Sequence, residues 1–163
     1  VSEPSANPMR QALRAMTHGV YVLSVRHAEH DEYIIVALAM QCSVEPPRVA
    51  LAVSHNARIL EPLLSAGGAV FSLLSVHQVA AIRRYGTPGG VRHRLTERNR
   101  SANGHPIPPE GSFWMELRIV RESDGGDHRV LIADVIDAGA NASEKAEGFE
   151  PLTLAASKLP YGG

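Results

Sequence analysis

Eight histidines, one cysteine and a run of arginines are the side chains of this sequence best suited to chemistry. His27 and His30 stand three apart beside Glu29, Asp31 and Glu32, a spacing that could hold zinc on a helix face. The segment reads instead as a turn between strands, and a strong site wants three or four converging ligands, so it is read as a solvated acidic hairpin. Cys42 has no second cysteine to pair with and is read as a small buried side chain, not a redox centre. Between Arg83 and Arg100 lie six arginines (Arg83, Arg84, Arg92, Arg94, Arg98, Arg100) and one acid, Glu97. They could form a solvated loop or a clamp for a phosphorylated ligand. Tyr85 is the only aromatic near them, which disfavours a nucleic-acid patch. His93 and His105 in the same stretch read as surface residues, and His18 and His77 as helix ends. The sequence has no G-x-G-x-x-G, P-loop, G-x-S-x-G elbow or H-E-x-x-H, so the chemistries served by those devices are excluded.

The elements that must position these residues follow from hydrophobic period and punctuation. Residues 1–8 read as a flexible tail and 9–163 as one domain. Met9, Ala12, Leu13 and Met16 recur at helical spacing before Gly19. GVYVLSV (19–25), YIIVALAM (33–40), VALAVS (49–54) and AVFSLLS (69–75) read as strands apolar on both faces. Asn56 is the expected N-cap of a helix over 57–66, closed by Gly67-Gly68. Ser75 and Gln78 form a capping box for a helix through Arg84. Residues 86–111 read as a long excursion, of a length that is usually functional. Alternation over 113–120, the SDGGDH turn, HRVLIADVIDAGA (128–140) and PLTLAAS (151–157) complete the pattern. The expectation is a mainly β fold, an antiparallel Greek-key barrel of about seven strands with about three short helices.

At 163 residues, 44% hydrophobic and 20% charged, the chain is long enough for one core and too apolar for wholesale disorder. A net charge of −1 lacks the positive field that grips nucleic acid. No apolar run approaches the roughly 20 residues of a membrane span, and the opening residues carry no apolar signal stretch. The expected protein is cytoplasmic, with no nucleic-acid or membrane partner.

Five strings in order resemble the flavin reductase-like family, the FMN-binding split barrels: MRQALRAMTHGVYVLSV, MQCSVEPPRVALAVS, SLLSVHQVAAIRRYG, GGDHRVLIADVIDAGA and PLTLAASKLPYGG. The resemblance spans residues 9–161. It implies an NAD(P)H-dependent reductase in which hydride passes from NADH or NADPH to FMN or FAD. The reduced flavin then serves a partner monooxygenase. It also implies a homodimer with flavin sites at its interface. In this reading Met40, Gln41, Cys42 and Ser43 line the flavin ring and ribityl chain. Ser54, His55, Asn56 and Arg58 face the phosphate, Asn56 at a helix N-terminus. His128 sits beside the stacked rings, and Ser72 occupies a position that is often asparagine in the family. Such chemistry needs two rings held in contact; the cofactor carries the hard step.

Each residue also has a plainer reading: Ser43 caps the turn before Pro46, Arg58 is a surface residue, and Asp127 and His128 belong to a turn. The chain departs from the family at Ile35, Ala37 and Ile59, where hydroxyl side chains are usual. At about 0.5–1.5 kcal/mol per hydrogen bond, three such losses would weaken flavin binding by roughly one to three orders of magnitude. That suits a reductase that releases flavin. It equally suits a diverged barrel with a flavin or haem cofactor, a pathway enzyme acting on a small aromatic substrate, or an interaction domain.

Overall fold

The computed structural model describes residues 7–94, 99–141 and 148–159. Helix α1 (Pro8–Arg14) is capped by the Asn7 side chain and leads into β1 (Tyr21–His27) and β2 (His30–Val36). Next come β3 (Ala39–Ser43), β4 (Arg48–Ser54), α2 (Leu60–Ala66) and β5 (Gly68–Leu73). A 3-10 turn (Val76–Gln78) precedes α3 (Ala80–Tyr85) and β6 (Val91–Arg94). The long strands β7 (Phe113–Asp124) and β8 (His128–Ala140) and the short helix α4 (Leu154–Ser157) follow. The eight strands form one sheet in the order β3-β4-β8-β7-β5-β1-β2-β6, and every neighbouring pair is antiparallel. No helix among the described residues is long and apolar enough to cross a membrane.

Strands distant in this order share one core. Leu23 and Val25 of β1 pack in the same cluster as Leu51 and Val53 of β4, Phe71 of β5, Leu117 of β7 and Leu131 of β8, with Ile59 and Leu63 from α2 and the loop before it. The sheet therefore curls around its apolar face. The alternate residues of β1 face outward, where Val22 joins Tyr33, Ile82, Tyr85 and Leu152 in a second cluster beneath α3 and the C-terminal segment. Strand β1 is apolar on both faces because both are covered. Each buried leucine contributes about 1.5–3 kcal/mol relative to exposure.

The fold class is as expected, with eight strands and four short α-helices among the described residues against about seven and about three read from the sequence. Several individual elements need correction. The run 33–40 is broken between Val36 and Ala39 into two strands. Helix α2 starts at Leu60, and Asn56 does not cap it: the Asn56 N–H donates to Ser54 Oγ at 3.2 Å. Pro62 falls in the first turn, where its missing N–H is harmless. Gly67, with φ of 68°, ends the helix as expected. Residues 151–157 are not a strand. Leu152 drops into the core, and Thr153 Oγ1 accepts from the Ala156 N–H at 3.2 Å, starting α4. The tail over residues 1–6 lies outside the described residues.

The acidic hairpin is solvated only at its tip, where His27 and Glu29 are exposed. Asp31 and Glu32 lie in β2 at 0% and 1% exposure. The excursion folds back as β6, placing Arg92 opposite Glu32. Arg92 Nε donates to Glu32 Oε1 at 2.6 Å, and Arg100 donates to both Asp31 oxygens at 3.0 and 2.9 Å. Arg84 pairs with Glu110 at 2.8 Å. Two arginines of the run thus neutralise buried carboxylates, an arrangement in which removing one partner strands a charge. Arg98 is outside the described residues. His105 is buried as well, its Nδ1 accepting from the Arg26 N–H at 3.3 Å. Burial pushes its pKa down, the Glu116 charge opposes that shift, and the charges of Arg100 and Arg26 add to it. Cys42 is exposed, the reverse of the small-core reading.

Candidate functional site

A cleft of about 1240 Å³ opens between residues 13–18, the face of β2, the end of β4, the β7–β8 turn and α4. Ile34, Ile35, Val36, Ala52 and Val53 make it apolar, while Ser54, Asp127 and His128 form a polar wall with Arg14, His18 and Thr153 elsewhere on the lining. The sheet register creates that wall: Ser54, the last residue of β4, pairs with His128, the first of β8. The His55 N–H donates to the Asp127 carbonyl at 3.1 Å and continues the ladder one step into the turn.

The turn is locked locally. Asp124 Oδ1 accepts from the Gly126 N–H at 3.0 Å, and the Gly125 N–H donates to the His128 carbonyl at 2.8 Å. Gly126 has φ of 96°, a conformation that favours glycine. At its end, Asp127 Oδ1 and His128 Nδ1 are 2.6 Å apart. His55 Nε2 lies 3.5 Å from Asp124 Oδ1. The hydrogen bond from His128, followed by its charge, holds the Asp127 carboxyl below the usual range. The Gly126 N–H, then His55, does the same for Asp124.

Ser54 and His128 are therefore brought together. His55, Asn56 and Arg58 follow Ser54 on one exposed loop, which is tied by the Arg58 N–H to the Gly89 carbonyl at 2.9 Å. Met40, Gln41 and Cys42 are exposed on the edge strand β3, with Ser43 half-buried at its end, and none of the four lines the cleft. Ser72 is buried in β5 against Gly111, whose added Cβ would come within 2.7 Å of Ser72 Cβ. It too lies outside the cleft lining. Of the departures, Ile35 lines the cleft, whereas Ala37 and Ile59 are core residues at 1% and 0% exposure. Sequence reasoning missed Arg14, His18 and Thr153, which carry no motif; Asp127 was visible within Gly-Asp-His.

The chemistry of the donor set fits a flavin. An apolar lining suits a planar ring, and Ser54 offers it a hydroxyl; Asn56 and Arg58 lie on the exposed loop that follows and are not part of the cleft lining. The sequence profile described as "flavin reductase like domain" matches residues 13–163. The chain belongs to this family. This flavin reductase like domain is 30% identical over 123 residues to the reductase component of 4-hydroxyphenylacetate 3-monooxygenase from Thermus thermophilus, covering 76% of this chain and 77% of the relative. It is 25% identical over 138 residues to an NADH-dependent FMN reductase of Streptomyces nodosus subsp. asukaensis, covering 82% and 75%. Its fold is similar to that of an NADH:FAD oxidoreductase from Streptomyces globisporus, with a TM-score of 0.75 at 20% identity, covering 100% of this chain and 95% of the other. The styrene monooxygenase flavin reductase of Pseudomonas putida gives 0.72 at 22% identity, covering 95% and 100%. These structural likenesses establish the split-barrel fold of this flavin reductase like domain.

Proposed function

We propose that this protein is a cytoplasmic NAD(P)H-dependent flavin reductase that supplies reduced FMN or FAD to a partner monooxygenase. The observation carrying this reading is the polar wall of Ser54, Asp127 and His128 facing the apolar side chains of Ile34, Ile35, Val36, Ala52 and Val53 in one cleft. When bound there, the flavin supplies the ring that accepts hydride from the nicotinamide. Ile35, Val36, Ala52 and Val53 exclude water from the contact. The Arg58 guanidinium and the Asn56 side chain, on the exposed loop after Ser54, bind the phosphate. His128 orients the nicotinamide. At about 1240 Å³ the cleft lies above the roughly 300–1,000 Å³ typical of small-molecule sites. Ile35 offers no hydroxyl to the cleft, which supports a flavin held loosely enough to leave.

A second copy of the chain completes the assembly in this reading. Helix α1 has no buried residue; Met9 and Leu13 of the helix and Met16 just after it are 71%, 53% and 58% exposed, with Leu13 and Met16 on the rim of the cleft. The test is steady-state oxidation of NADH and NADPH with FMN, FAD and riboflavin, followed at the nicotinamide absorbance band. Turnover that depends on added flavin is expected; no turnover with any combination would overturn the reading.

A further inference from the structure

We propose that Asp127 is the positioning residue of His128, holding the imidazole proton on Nδ1 and presenting Nε2 to the cleft as a hydrogen-bond acceptor. The geometry is short and local: Nδ1 and Oδ1 are 2.6 Å apart. Both residues belong to the polar wall of the cleft; the His128 side chain is 22% exposed and the Asp127 side chain 90% exposed. With Nδ1 tied to Asp127, Nε2 is the ring nitrogen left for a ligand. The carboxyl group of Asp127 is held below its ordinary range, so at neutral pH it is a carboxylate and can only accept. A neutral His128 must then carry its proton on Nδ1 to donate to it, although a free histidine side chain in water favours the other nitrogen.

The surroundings hold this pair in place. The Asp127 carbonyl accepts from the His55 N–H, and the His128 carbonyl accepts from the Gly125 N–H. Asp124 fastens the turn through the Gly126 N–H. These bonds fix the backbone from which both side chains project, and the hydrogen bond to Nδ1 is what holds the Asp127 carboxylate itself. An acceptor at Nε2 recognises a ligand N–H, the group that a nicotinamide carboxamide offers. A ring nitrogen fixed in tautomer and direction costs less to order when ligand binds. This inference deepens the reductase reading and rests on it for the kinetic arm only.

The first measurement is the tautomer of His128 from nitrogen chemical shifts in the ligand-free wild-type protein, above the pH at which the ring titrates. The expected result is a proton on Nδ1; a proton on Nε2 overturns the proposal whatever the enzyme does. Asp127→Ala should move the population toward Nε2–H, and Asp127→Glu should restore Nδ1–H in part. In the kinetic arm, Asp127→Ala should lower kcat/KM for the pyridine nucleotide about tenfold and leave the flavin KM unchanged. Added to His128→Ala, it should cost nothing further, since a positioning residue acts only through its partner. An additional loss in the double variant, or unchanged nucleotide kinetics in folded Asp127→Ala, would overturn the positioning role. An Nδ1–H tautomer in a wild type that oxidises neither nucleotide would reject the reductase reading and uphold the pair.

Discussion

His128 and Arg58 are the residues on which the proposed chemistry depends most. His128 is fixed on the cleft wall by the β4–β8 register, and the role proposed for it is orientation of the nicotinamide. His128→Ala is expected to raise the nucleotide KM and lower kcat by about tenfold to a hundredfold, with flavin affinity little changed. Stopped-flow and steady-state kinetics would check this, and wild-type kinetics in the folded variant would return His128 to a turn residue. Arg58 is exposed, and no side-chain partner of it is found among the described residues. Arg58→Ala should weaken FMN more than riboflavin, which lacks the phosphate. Equal binding losses by titration calorimetry would place Arg58 on the solvated surface. The Gly-Asp-His turn was legible because glycine, aspartate and a strand start leave few alternatives. Arg14 and His18 were not, because their role comes from α1 lying near β2 and α4, contacts without local signature.

Among the elements, β6 is the one whose formation the sequence concealed. VRHR carries one aliphatic residue in four, so its strand character comes from its partner: the buried Asp31 and Glu32 of β2 demand cations, and Arg92 and Arg100 supply them. Arg100→Ala would leave Asp31 buried without its bidentate partner and should cost about 3 kcal/mol or more in urea unfolding. An unchanged unfolding midpoint would contradict the pairing. Acid should act on the neighbouring segment through His105. Its pKa is lowered in the folded state, so the unfolded chain binds the proton more readily. Its contribution is therefore fully present above the ordinary histidine value near 6.5 and is lost as pH falls toward the lowered folded value. Melting temperature should drop between pH 7 and 5, and His105→Asn, which keeps an acceptor for the Arg26 N–H, should flatten that component. The lowered Asp124, Asp127 and Asp134 act in a separate window, below their ordinary 3.8. Strands β1, β4, β5 and β8 were legible from apolar runs bounded by turns. PLTLAAS was misread because Pro151, Thr153 and Leu152 mimic alternation, while Thr153 in fact caps the helix-forming LAAS.

For the molecule as a whole, the sheet curls around one apolar cluster, carries a second beneath α3 and the C-terminal segment, and leaves α1 uncovered. Burying Met9, Leu13 and Met16 against a second copy would gain about 1.5–3 kcal/mol for each side chain. Light scattering should give about twice the 17.5 kDa chain mass, and Leu13→Glu with Met16→Glu should shift the protein toward monomer. A wild-type monomer at high concentration would remove the second copy from the account. The central claim is that the cleft brings a nicotinamide and a flavin into contact for hydride transfer. Its most direct test is anaerobic mixing of the protein with NADH or NADPH and one equivalent of FMN or FAD, following the flavin and nicotinamide absorbance bands together. The account predicts bleaching of the flavin with one nicotinamide oxidised per flavin reduced, at a rate that scales with protein concentration and falls about tenfold or more in His128→Ala. Both bands changing no faster than without protein, for every nucleotide and flavin, would contradict it.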